Sequence, residues 1–146
     1  MATTTATITL ESADLLSDNM LLSASMNLYQ DGTTATGLDE MNYHRLVIPT
    51  GTSFDLIEES AALTEDASYV YIINKNTDVT DYVKISINTE EIGRLYAGDW
   101  LFMPWDSDLS AAANDSSIEI QAFTHEHIIE YALFHNGETL VTSADS

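Results

Sequence analysis

The side chains with the most chemical potential stand in one short run, His125-Glu126-His127. On a strand, residues two apart project from the same face, so the two imidazoles could share one metal ion. Glu130 follows, but its parity is opposite to that of His127, and an unbroken strand sends its carboxylate to the other side of the sheet. His135 has the right parity but lies eight residues along, roughly 27 Å away on an extended strand. His125 and His127 are therefore the metal candidates, and a pair of surface or interface histidines is the expectation, with no cofactor. Acidic loops form the second group: Asp106-Ser107-Asp108 with Asp115, and Asp78 with Asp81. Calcium needs six to eight oxygens, and neither stretch has the spacing of an EF-hand loop, so both read as solvated surface. The chain has no cysteine, no Gly-x-Ser-x-Gly elbow, no P-loop and no Gly-rich nucleotide fingerprint. No catalytic residue is assigned, and the chain is not expected to be an enzyme.

The elements that must position these groups read as strands. Short runs of β-branched and aromatic residues fall at 3–10, 21–30, 43–48, 53–57, 68–74, 81–88, 99–103, 117–123 and 127–135, with a short one near 91–95. Turn residues separate them, among them Asp31-Gly32, Pro49-Thr50-Gly51, Asn74-Lys75-Asn76 and Ala97-Gly98-Asp99. Only 11–16 and 58–66 could form a helical turn or two. This pattern predicts an all-β chain, a two-sheet antiparallel β-sandwich of jelly-roll type. Residues 1–10 read as an N-terminal extended arm or first strand, 11–140 as the sandwich, and 141–146 as a flexible tail.

Alternation is clearest over 82–88, where Val83, Ile85 and Ile87 face the core and Lys84, Ser86 and Asn88 face outward. Two other strands break the rule. Tyr69-Val70-Tyr71-Ile72-Ile73 is apolar on both faces, and so is Ile128 to Phe134 apart from Glu130. A second apolar face needs a cover, either a loop or arm of the same chain or another subunit. The segment Trp100-Leu101-Phe102-Met103-Pro104-Trp105 reads as a core strand stopped by Pro104, with Trp105 exposed beyond it. The Thr-rich start, which includes Thr3, Thr4 and Thr5, is uncharged and could add a strand to a neighbour. The interface candidates are thus Thr3, Thr4, Thr5, Tyr69, Tyr71, Trp105, Ile128, Tyr131 and Phe134.

Charge narrows the partners. Four Lys and Arg stand against 24 Asp and Glu, a formal net charge of −20. Phosphate backbones and anionic membranes are bound through basic side chains, so neither is an expected partner. No apolar run approaches the roughly 20 residues of a membrane-spanning helix, and residues 1–10 lack the pattern of a secretory signal.

From residue 53 to 136 the chain resembles small β-sandwich virion proteins of tailed phages, particularly cyanophages. The resemblance is carried by Tyr69-Val70-Tyr71-Ile72-Ile73-Asn74, Tyr82-Val83-Lys84-Ile85, Gly98-Asp99-Trp100-Leu101-Phe102-Met103-Pro104 and Glu130-Tyr131-Ala132-Leu133-Phe134. It implies a capsid decoration or cement protein on the outer surface of a virion, soluble in the host cytoplasm before assembly. Its partners would be the major capsid protein or another virion protein, and further copies of itself, a trimer being favoured. The alternatives are a tail-fibre or receptor-binding knob contacting glycan through loop 106–116, and a cupin-like metalloenzyme. His125, His127, Glu130 and Gly137 resemble one cupin motif, and Gly98 with Pro104 the other, but in reversed order and without the further histidine.

Overall fold

The computed structural model describes residues 4–15, 17–28, 40–57, 68–105 and 117–135. Its organising point is the turn Asn88-Thr89, where both residues take left-handed φ, 51° and 64°. That is the backbone a two-residue hairpin needs to match the twist of its strands. Across it pair β6 (Tyr82–Ile87) and β7 (Glu90–Tyr96), with Ile87 opposite Glu90. Further pairs nest outward from this turn, all antiparallel. They join β5 (Ser68–Asn74) to β8 (Trp100–Trp105), β4 (Phe54–Ile57) to β9 (Ile118–Ala122), and β3 (Glu40–Ile48) to β10 (His127–His135). Folding this ribbon over itself adds the pairs β10–β5 and β9–β6. Two four-stranded sheets result, β3-β10-β5-β8 and β4-β9-β6-β7. This is jelly-roll strand order, and the expected all-β sandwich is what the chain forms.

The core lies between the sheets. One sheet contributes Ile48, Val70, Ile72, Ile129 and Leu133, the other Val83, Ile85, Leu95, Ile118 and Ile120, all buried. Period-two alternation puts them there: on β5 the inward set is Ser68, Val70, Ile72 and Asn74, and the outward set is Tyr69, Tyr71 and Ile73. β7 carries an extra residue, Ile92, opposite the Ile85–Ser86 step of β6, and Ser86, expected outward, is buried.

Three details depart from the expectations above. Strand β8 runs through Pro104 to Trp105, because it is an edge strand and a missing N–H on its open side costs nothing. Trp105 is consequently not exposed but part of the core, opposite Ser68. Glu11 and Ser12 end a strand instead of starting a helical turn, and 58–66 lies outside the described residues. The N-terminal segment, read as an extended arm or first strand, forms a strand: β1 (Thr5–Ser12) pairs with β2 (Met20–Asn27) as a separate two-stranded sheet. The Leu28 N–H donates to the Thr4 carbonyl (2.8 Å), and the buried Leu28 fixes the hairpin's base.

Candidate functional site

The histidines come together, though not as a surface pair. His125 sits in the bend before β10 with its side chain 62% exposed, while His127 opens β10 facing inward with its side chain 0% exposed. Asp81, just before β6, lies between them. Its Oδ2 is 2.9 Å from His125 Nδ1, accepts the His125 backbone N–H at 3.1 Å, and is 3.3 Å from His127 Nε2. On the other side of the His127 ring is Asn74, the last residue of β5. Its Oδ1 accepts the Asn76 N–H, and its Nδ2 donates to the Leu95 carbonyl (2.9 Å) and to His127 Nδ1 (3.1 Å). An amide nitrogen only donates, so Nδ1 accepts and the ring proton sits on Nε2. That Nε2 is close to Asp81 but off the line of a hydrogen bond, and it has no other partner among the described residues. Burial pushes the Asp81 carboxyl up. Hydrogen bonds from His125 and the Tyr82 N–H, with the facing His127 ring, outweigh that and hold it below the usual carboxylate range.

The cluster ties β5 and β10 of one sheet to β7 of the other and to the segment entering β6. Its geometry is that of a clasp across the end of the sandwich. Among the described residues no group of three His, Asp or Glu is placed to hold a metal ion. Glu130 points away from His127, to the outer face, where it meets Arg45 at 3.4 Å. The cupin-like set is therefore split across the sheet, as parity requires. Asp78 and Asp81 do not form a joint oxygen site either. Hydrogen bonds from the Thr80 hydroxyl and N–H to Asp78 Oδ1 hold that carboxyl below its usual range, while Asp81 turns inward. Residues 106–116, including Asp106, Asp108 and Asp115, lie outside the described residues.

The second feature is the outer face of the β3-β10-β5-β8 sheet. Register places Met41, Tyr43, Arg45 and Val47 of β3 there, beside Ile128, Glu130, Ala132 and Phe134 of β10. Tyr69, Tyr71 and Ile73 of β5 follow, then Trp100, Phe102 and Pro104 of β8. Tyr69 stacks on Phe102 (centroids 5.6 Å), and Phe102 meets Phe134 edge-on at 6.4 Å. Arg45 and Glu130 are its charged residues among the side chains described, and they neutralise each other. The Tyr43 hydroxyl donates to Glu130, which with partial burial raises its pKa.

The β1–β2 hairpin lies beside this face. Most of its apolar side chains share one parity: Ala6, Ile8 and Leu10 stand opposite Met26, Ala24 and Leu22. The reverse side is mainly polar, with Thr5 bonded to Asn27 (2.8 Å) and Thr7 to Ser25 (3.0 Å), and it carries the exposed Leu21 opposite Glu11. Between the base of the hairpin and Tyr71, Trp100, Phe102 and Phe134 is an open, mainly apolar cavity of about 640 Å³. The hairpin thus shelters the β5–β8 half of the face, and the β3 half stays open, with Met41, Tyr43 and Val47 exposed.

The interface candidates divide accordingly. Tyr69, Tyr71, Ile128 and Phe134 lie on the outer face, and Thr4 and Thr5 at the hairpin base. Thr3 is outside the described residues. Tyr131 belongs to the inner face, packed on the core beside His44 (5.3 Å), and burial raises its pKa. Trp105 is likewise a core residue. The opposite face of the sandwich is more polar: Arg94 lies 4.6 Å over the Tyr82 ring and pairs with Glu91, and Lys84 lies 5.7 Å from the Phe123 ring.

No protein-family model matches the chain, and no curated protein is significantly similar to it.

Proposed function

We propose that this protein is a structural component of a tailed-phage particle, a capsid decoration protein that attaches in many copies and stabilises the shell. One observation carries the reading: the molecule is two-sided, with a nearly charge-free aromatic sheet face and an amphipathic hairpin on one side and a charged, polar sheet on the other. In a chain of net charge −20, an uncharged apolar face of this size is a feature of association. Jelly-roll sandwiches are frequent in capsid proteins, a fold-level analogy that agrees with the resemblance of the strands from Tyr69 to Phe134.

The test is quantitative. Purified particles should carry the protein on the order of hundreds of copies each, as a lattice-bound subunit does. A few tens of copies, localised to the tail, would transfer the reading to a fibre component, and absence from particles would end it.

A further inference from the structure

We infer that the open apolar face of the β1–β2 hairpin docks on a second copy of this chain, which receives it on the outer face of its β3 strand. The inference rests on the structural reading above and names the first partner of that surface.

The hairpin is the starting point. A lone two-stranded sheet is marginally stable in water, so its apolar side needs a cover. It has only part of one: Ile8, Leu10, Leu22 and Met26 are 43%, 46%, 57% and 52% exposed. Eight residues at 3.4 Å per step make each strand roughly 24 Å long. The base, through Ile8 and Ala24, lines the cavity over its own sheet, while Leu10 and Leu22 lie beyond that cavity. The distal half therefore has no cover among the described residues.

The receiving surface is on the same chain. Met41, Tyr43 and Val47 are about half exposed on β3. With Leu10 and Leu22 beyond the cavity they make five large apolar side chains. At on the order of 100 Å² exposed each, a reciprocal contact buries roughly 500 Å² on each partner, and the pair together reaches the roughly 1,000 Å² at which specific interfaces begin. Both surfaces are flat β faces, and flat sheets stack about 10 Å apart with interdigitating side chains. A reciprocal exchange, hairpin of each copy on β3 of the other, closes as a two-fold pair.

Charge restricts where copies can meet. Two copies at −20 repel over most of their surfaces. The apolar side of the hairpin carries no charge, and the sheet face carries only the neutralised Arg45–Glu130 pair. Copies can approach through these two surfaces without bringing carboxylates together.

The chain has no cysteine, so Leu22→Cys and Val47→Cys each add a unique thiol. At about 0.5 M NaCl, where screening reaches within a few ångström, the full chain should sediment as a concentration-dependent dimer or larger species. Under mild oxidation, a mixture of the two single-cysteine proteins should cross-link to each other in preference to themselves. Leu10→Asp combined with Leu22→Asp should weaken association at least tenfold while the β circular dichroism persists. The inference is overturned if the chain is monomeric throughout, if the acidic pair leaves association unchanged, or if a double-cysteine chain links within itself. Loading onto particles is read separately: a monomer that still decorates shells sinks this inference alone, and an oligomer that never loads sinks the functional reading alone.

Discussion

Replacing His127 by alanine tests the clasp directly. The ring is wholly buried, and its Nδ1 accepts one of the two hydrogens of Asn74 Nδ2. Truncation leaves a cavity of ring size, leaves that Asn74 hydrogen without its acceptor, and removes the imidazole facing Asp81 Oδ2. Large-to-alanine changes in cores cost about 3–5 kcal/mol, and a stranded buried donor adds about 1 kcal/mol or more. Relaxation at the end of the sandwich offsets part of this, so the expected loss is about 3 kcal/mol. His125→Ala removes only an exposed ring from the same carboxylate, and exposed pairs are worth less than about 1 kcal/mol. Urea titration at neutral pH reads both, with the fluorescence of the buried Trp105 as signal. For a urea slope of about 2 kcal/mol per molar, the His127 variant should move the midpoint down by roughly 1.5 M and the His125 variant by less than about 0.5 M. His127→Phe, which restores volume but not the acceptor, should fall between wild type and alanine. Equal costs at positions 125 and 127, or a loss below about 1 kcal/mol for His127→Ala, would refute the clasp and return the pair to the surface.

Asp81 sets an acid limit. Its folded carboxyl lies below the ordinary value, so its stabilisation is fully present above about pH 4 and is lost as pH falls through the folded value. Wild type should thus exceed Asp81→Asn in thermal stability at neutral pH, and the gap should close on acidification below pH ~4. Thr89→Gly should raise stability by about 1 kcal/mol in the same urea assay, because a β-branched residue at φ 64° is strained and glycine is not. The Thr89 N–H that donates to Glu119 Oε1 (2.7 Å) survives this change, so a loss of stability would show that the turn is not strained. A chain lacking residues 1–27 should unfold cooperatively with its β spectrum intact, since the core cluster contains no residue of the hairpin. Failure of that shortened chain to fold would make the hairpin part of the folding unit.

Strand positions were legible wherever period-two alternation met turn residues: β5 and β10 fall where the pattern puts them. The turn Asn88-Thr89 was harder to see, because threonine is a poor residue for left-handed φ and the usual Asn-Gly signal is absent. Burial at the sandwich end was the larger omission. His125 and His127 have the same parity, which suggested one shared face, but His125 lies in a bend and only His127 is on the strand. A usable signal was present: Asn74 and His127 continue the inward sets Ser68-Val70-Ile72 and Ile129-Leu133, so parity assigned both to the core. Polarity argued against it, and a buried polar residue is satisfied only by partners distant in sequence, here Leu95 and Asp81. Trp105 was misplaced for a similar reason, since Pro104 ends a central strand but not an edge strand, and edge position is a property of the assembled sheet.

The two features divide the molecule by what each polar group is for. At the clasp, polar atoms are taken out of water and most find partners within the chain, which fixes how the sheets meet. On the outer face of the β3-β10-β5-β8 sheet the reverse holds. Apolar side chains are left in water, and the chain, although 19% charged, keeps all but a neutralised pair of the described charges off that face. Self-repulsion at −20 would oppose any close approach mediated by the remaining surface. On the association inferred above, confining the uncharged area to one sheet face and one hairpin would leave those two surfaces as the route by which copies approach. Raising salt then has opposite consequences for the two kinds of contact. It would weaken exposed ion pairs such as Arg94–Glu91, but would strengthen the proposed association through the apolar face by screening the carboxylates around it. An assembly held this way tightens in salt, whereas one held by charge complementarity loosens.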